Sequence, residues 1–278
     1  MNRSFRSFAL VFVCSALAAP GLAVAQDKPA SSSQSSSSTA AKPPVHHAAT
    51  ARPGTDPALF HPALMKAKAP DEFEVKFTTT KGDFVIKCTR AWAPNGADRF
   101  YNMVKHGYFT GVSFYRVVPN FIVQFGVSPN PKITAAFNSA SIKDDPVKQH
   151  NTAGTVTYAM GGPNTRSNQL FINYADNSGS LDASGFAPIG EVTSGMDVVK
   201  SFFSGYGEIS DLGGSGPSQT RAMEGGKAYL DKNYPNLDSI KSTTIISQTP
   251  PRAAPAKKPA AASSTAKKPA ASSSSPQN

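Results

Sequence analysis

Two cysteines, one tryptophan and a charged fraction of 17% are low counts for a chain of 278 residues. Cys14 lies in an apolar N-terminal leader and Cys88 in the middle of the chain. Once the leader is removed, Cys88 has no partner, which excludes an internal disulfide framework. A single thiol in an exported chain belongs in the core, and Cys88 shares the alternation of Phe84 and Ile86. Long hydrophobic runs are missing too. The apolar stretch 8–19 is interrupted by Pro20 and Gly21 and falls short of the ~20 residues needed to cross a bilayer. Arg3 and Arg6 before it and Ala23-Val-Ala25 after it make residues 1–25 a signal peptide. The mature chain is expected to begin near Gln26, to be exported to a periplasm or the exterior, and to have no membrane span. The residues before Cys14 are not those of a lipidation site. No Gly-x-Ser-x-Gly elbow accompanies His106 or His150, so a serine hydrolase is not supported. Gly213-Gly-Ser-Gly-Pro217 lacks the Lys-Ser/Thr ending of a phosphate loop and reads as a surface turn. His46, His47 and His61 lack the neighbouring ligands of a metal site, so neither metal nor cofactor is expected.

The net charge of +10 is not a property of the middle of the chain. Residues 1–70 hold seven Lys/Arg against two Asp, and 251–278 hold five Lys/Arg and no acid. Residues 71–250 hold sixteen of each sign, which argues against a nucleic-acid groove in the core. The flanks are Ser, Ala, Pro and Lys. Ala-Lys-Lys-Pro-Ala-Ala recurs at 256–261 and 266–271. Such segments bury too little apolar surface to offset chain entropy. The domain reading is therefore a signal peptide at 1–25, a disordered linker at 26–70, one folded monomeric domain at 71–249 and a disordered tail at 250–278. The tails read as solvated spacers; charge-mediated binding to an anionic polymer is the alternative.

Within the domain, Phe73, Val75 and Phe77 alternate with polar residues, and Phe84, Ile86 and Cys88 do so after a turn at Lys81-Gly82-Asp83. Ala97, Phe100, Tyr101 and Val104 fall on one helical face between Pro94 and Gly107. Strand-like runs follow at 113–118, 121–125, 155–159, 170–173, 188–192 and 243–248, and a second helix fits 196–203. The pattern predicts a mainly β fold: a closed eight-stranded antiparallel barrel capped by two helices, with a loop-rich insert at 205–240 before the last strand. Tyr229, Leu230, Tyr234, Leu237 and Ile240 in that insert suggest a short helix and an extended piece.

Two segments carry chemistry: Phe114-Tyr-Arg-Val-Val-Pro-Asn-Phe-Ile-Val-Gln-Phe-Gly126 and Met160-Gly-Gly-Pro-Asn-Thr-Arg-Ser-Asn-Gln-Leu-Phe-Ile172. Residues two apart share a strand face, which pairs Phe114 with Arg116, Ile122 with Gln124 and Gln169 with Phe171. One guanidinium, two amides and large apolar groups on one face suit an extended peptide. They also suit rotation of an X-Pro amide, which needs no nucleophile. The ~18–20 kcal/mol barrier falls when the nitrogen loses conjugation, and a donor aimed at that nitrogen favours the twisted state.

The segments resemble the signature of cyclophilin-type peptidyl-prolyl cis-trans isomerases, over roughly 72–248. The resemblance implies that Arg116 and Gln124 are catalytic. It implies that Phe121, Ile122, Phe171, Leu181 and Phe186 line the proline pocket, and that Ala159, Met160, Gly161 and Gln169 bind the substrate. Ser180 stands where many members have a tryptophan, Phe186 near their pocket histidine, and Phe125 in place of a glycine. The Leu-Asp-x-x-Gly-Phe-Ala-Pro-x-Gly form at 181–190 resembles a bacterial branch of the family. The implied function is prolyl isomerisation in the folding of exported proteins, with Pro-containing segments as partners. The alternative is a Pro-binding chaperone or assembly module with little turnover.

Overall fold

The computed structural model describes residues 56–250. β1 (Glu72–Thr79) buries Phe73, Val75, Phe77 and Thr79 and exposes or half-exposes the residues between them. It pairs antiparallel with β2 (Asp83–Thr89), Val75 opposite Ile86 and Phe77 opposite Phe84. α1 (Pro94–Lys105) follows, with Pro at its first turn. The Asp145 carboxylate accepts from the Asn95 and Gly96 N–H groups at 3.0 and 2.9 Å, placing negative charge on the positive helix end. Then come β3 (Arg116–Val118), β4 (Ile122–Phe125), α2 (Pro131–Asn138), β5 (Thr155–Tyr158), β6 (Leu170–Asn173) and the short α3 (Ser178–Leu181). β7 (Pro188–Ser194), α4 (Met196–Lys200), α5 (Gln219–Asn233) and β8 (Ile240–Gln248) complete the order.

The eight strands form one antiparallel sheet ordered β3-β4-β6-β5-β7-β2-β1-β8. Its two ends are not joined by a ladder among the described residues. They meet through a single Ser113–Ser239 bridge and bonds from Phe114 N–H to Asp238 O and from Ile240 N–H to Val112 O, both 2.9 Å. The observed sheet is thus a curled antiparallel half-barrel, coarser than the closed barrel expected. Its concave side holds an aromatic core: Phe77 stacks on Phe84 at 4.9 Å, and Phe114 on Phe202 at 3.9 Å. Each such ring removed from water contributes about 1.5–3 kcal/mol. Cys88 sits in this core, fully buried, its thiol donating to Ile189 O at 3.1 Å. Burial pushes its pKa well up, which leaves an unreactive thiol.

Among the described residues the chain forms five α-helices, where the pattern predicts two and a short helix in the insert. α2 and α3 were not expected, and the segment read as a short helix near Tyr229 is the fifteen-residue α5. The reason is Gly225-Gly226, which interrupts the periodicity. Gly226 has φ +55°, and its missing side chain lets the chain press against the Pro129 carbonyl, which also accepts from Lys227 N–H at 3.1 Å. α4 is shorter than the predicted 196–203 because Phe202 turns inward onto Phe114 and Phe203 N–H bonds to Asp238.

The linker boundary also moves. Residues 56–70 were assigned to the disordered linker, yet two 3-10 turns, Pro57–Phe60 and Pro62–Leu64, pack on the domain. Leu59 is 1% exposed, and His106 lies 2.8 Å from Asp56. Asn102 Nδ2 donates to Ala67 O and Ala69 N–H to Asp98, at 2.7 and 2.8 Å. Few large apolar residues were visible there, but one deeply buried leucine and three polar contacts suffice to fix the segment. A chain starting at 71 should melt about 3–12 °C below one starting at 56, because losing the Leu59 contact alone costs about 1.5–3 kcal/mol. Calorimetry of the two fragments checks this, and their peptide turnover should be equal. Residues 1–55, which include the segment read as a signal peptide and His46 and His47, and residues 251–278 lie outside the described residues.

Candidate active site

The β3–β4 hairpin places Arg116 opposite Gln124 and Val118 opposite Ile122. Its turn needs Asn120 at φ 60°, a left-handed conformation that Asn tolerates better than most residues. β4 then pairs with β6, setting Gln124 opposite Phe171. Four aromatic and aliphatic side chains form a separate small cluster on this outer face: Ile122, Phe171, Leu181 and Phe186. Phe121, Ala159 and Met160 pack around them, and Phe171 meets Phe186 edge-on at 5.8 Å. Arg116 and Gln124 line the same pocket. Gly161 is exposed at the rim, its N–H donating to Thr165 Oγ1 at 2.9 Å.

Two of the three face pairings hold. Gln124 stands beside Ile122, and Gln169 lies on the Phe171 side. Phe114 and Arg116 do not share a face: Phe114 enters the main core while Arg116 faces the pocket. Residues 114 and 115 lie outside the regular strand, between the Ser113 bridge and β3, so the alternation does not carry through.

Arg116 is 1% exposed and gripped on several sides. Its Nη1 donates to Gln124 Oε1 at 2.9 Å and its Nη2 to Glu208 Oε2 at 2.7 Å. Nε lies 2.6 Å from Glu208 Oε1, a charge contact without hydrogen-bond alignment. The guanidinium carbon sits 5.7 Å from the centre of the Phe121 ring, so the cation also rests over an aromatic face. With its Oε1 bound to Arg116, Gln124 turns its amide nitrogen to the Tyr115 hydroxyl at 2.6 Å and to Gln169 Oε1 at 3.1 Å. The single Tyr115 hydroxyl proton has two acceptors in reach, Gln169 Oε1 and, at 3.1 Å, Gln219 Oε1 of α5. Burial pushes the Tyr115 pKa far up, so it remains a donor. The chain of amides thereby fixes which edge each glutamine offers.

Tyr115, Glu208 and Gln219 were not among the predicted site residues. Tyr115 stood inside the first motif and could have been found there. Glu208 and Gln219 come from the insert, where nothing in the local pattern pointed at Arg116.

The Leu181–Phe186 turn is held by Asp182 and the fully buried Asn151. Asp182 Oδ1 accepts from Asn151 N–H and Nδ2 at 3.0 and 2.7 Å, and Asn151 Nδ2 also donates to Phe186 O at 2.8 Å. His150 lies 2.7 Å from Oδ2. Burial works against the Asp182 charge, but the bonds from Asn151 and His150 outweigh it and hold the pKa below the usual Asp value. A depressed carboxylate stabilises the fold above its unfolded pKa and loses that contribution as pH falls through the folded one. The stability gap between wild type and Asp182→Ala should therefore be constant near neutral pH and shrink in acid below the usual Asp range. Denaturant titrations at several pH values check it.

A cationic donor and two amides thus stand at the edge of an apolar pocket on a sheet face, an arrangement that suits an extended peptide. Comparison with known proteins gives the family. The profile described as cyclophilin type peptidyl-prolyl cis-trans isomerase/CLD matches residues 74–212. A peptidyl-prolyl cis-trans isomerase of Acinetobacter baylyi is 34% identical over 149 residues, 49% of this chain and 74% of that protein. One from Schizosaccharomyces pombe is 33% identical over 129 residues, 45% of this chain and 82% of that protein. A crystal structure of a Cryptosporidium parvum cyclophilin type isomerase aligns with a TM-score of 0.46 and 17% identity, covering 64% of this chain and 99% of that one. The chain belongs to the cyclophilin-type peptidyl-prolyl cis-trans isomerases and is an enzyme of that class.

Proposed function

We propose that this enzyme accelerates X-Pro isomerisation in proteins folding outside the cytoplasm, with Arg116 and Gln124 as its reactive groups. The observation that carries the reading is the guanidinium set beside Gln124 at the edge of the Ile122, Phe171, Leu181 and Phe186 cluster. The proline ring enters that apolar pocket. Arg116 donates toward the amide nitrogen as it becomes pyramidal, which favours the twisted state over either planar one. Gln124 and Gln169 hold the peptide carbonyls, and the half-buried Ala159 and Met160 with the exposed Gly161 pair with the substrate backbone. No proton is transferred and no covalent bond forms. The enzyme acts as a monomer, its sheet closed between β3 and β8 into a barrel with helices over its ends. The export role rests on the leader at residues 1–25.

A protease-coupled peptide assay on residues 56–250 tests the activity. Turnover across several X-Pro peptides supports it, and binding without turnover leaves a Pro-segment chaperone. That second reading has one observation behind it: Arg116 is already engaged by Glu208 and nearly sealed from solvent. Fractionation of cells expressing the full chain tests the location.

A further inference from the structure

The insert after α4 sends one carboxylate into the site, and that carboxylate contacts the guanidinium on which the proposed isomerisation depends. We propose that Glu208 is a positioning residue for Arg116, and that the Gly213-Gly-Ser-Gly216 turn exists to hold Glu208 in place. The inference rests on the isomerase reading and deepens it.

An arginine has five N–H donors. Glu208 occupies the Nε/Nη2 edge and Gln124 takes one Nη1 hydrogen. Two N–H groups, one on each Nη, are left for a substrate. The side chain is 1% exposed, so water does not orient it; Glu208, Gln124 and the Phe121 ring do. A buried guanidinium without its carboxylate would carry an uncompensated charge and would leave its place. The pairing therefore decides where the remaining donors point.

Glu208 is itself held firmly. Its Oε1 accepts from Ile209 N–H at 2.8 Å, and Ile209 is 1% exposed in a second apolar cluster with Tyr115, Val127, Ala222 and Leu230. The Glu208 carbonyl accepts from Gly216 N–H at 2.8 Å. A side chain on Gly214 would overlap that carbonyl, and one on Gly216 would come within 2.7 Å of it. The glycines are there because the chain folds back onto Glu208, not because the turn is a free surface loop. Asp211 continues the clamp by accepting from Gln219 N–H at 2.7 Å at the start of α5.

The test uses Glu208→Gln, Glu208→Asp, Gly214→Ala and Arg116→Lys in residues 56–250. Steady-state kinetics are measured with an X-Pro peptide, and the Arg116 Nε–H resonance is followed by NMR. Glu208→Gln should lower kcat by about tenfold to 10²-fold, the size of a small misplacement of a reacting group, with KM nearly unchanged. The Nε–H signal should shift and exchange faster. Glu208→Asp should recover part of the loss, and it carries the test if the Gln variant does not fold. Gly214→Ala should move kcat and the resonance in the same direction, although the carboxylate is chemically intact. Wild-type or raised kcat in the Gln variant, or in the Asp variant standing in for it, overturns the proposal. If Arg116→Lys is fully active, the isomerase reading of Arg116 fails instead. If Arg116→Lys is inactive and Glu208→Gln is not, only the role of Glu208 falls.

Discussion

Arg116→Ala should lower kcat/KM by about 10²–10³, the loss found when a preorganised transition-state donor is removed. Arg116→Lys should recover little of it. Lysine keeps the charge but not the planar fork that meets Glu208 and Gln124 together. Because Arg116 is buried and paired, neither variant should be silent in stability. Removing one partner of a fully buried ion pair costs about 3–5 kcal/mol. Glu208 keeps 30% of its side chain exposed and can turn to water, so the loss here should fall below that range. Melting curves run beside the kinetics separate a folded, inactive enzyme from an unfolded one. Wild-type turnover in a folded Arg116→Ala variant would remove Arg116 from the mechanism.

Phe171→Ala should weaken peptide affinity by about tenfold to 10²-fold, the equivalent of one large apolar contact. Phe171 is 3% exposed and supplies the wall that Phe186 meets edge-on. A lost wall affects bound ground state and transition state alike, so KM should rise more than kcat falls. The truncation also leaves a cavity, so the folded fraction must be measured. Phe171→Leu keeps most of the volume and should give a smaller effect of the same sign. Peptide titration followed by NMR checks both. A folded Phe171→Ala variant that binds with unchanged affinity would put the proline pocket elsewhere.

The sequence by itself carried the parts of the molecule that depend on near neighbours. The β1–β2 hairpin was legible because Phe73, Val75 and Phe77 alternate and face Phe84, Ile86 and Cys88 across a short turn. The apolar pocket was legible because Ile122 and Phe171 sit at fixed offsets from Gln124 and Gln169 within two motifs, and strand pleating places each pair on one face. Other features were set by contacts between residues far apart in the chain, and no local pattern encodes those. The 56–70 segment is ordered by α1 and α2, with its contacts to α1 29 to 50 residues on. α5 has two glycines that weaken it alone, and one of them, Gly226, is fitted against the Pro129 carbonyl. Phe114 leaves the Arg116 face because the core aromatics, Phe202 above all, draw it inward. Above all, Glu208 lies ninety-two residues from Arg116. Local pattern put the arginine at the pocket, and only tertiary packing could seal it there, because a buried charge takes its orientation from whichever distant group neutralises it.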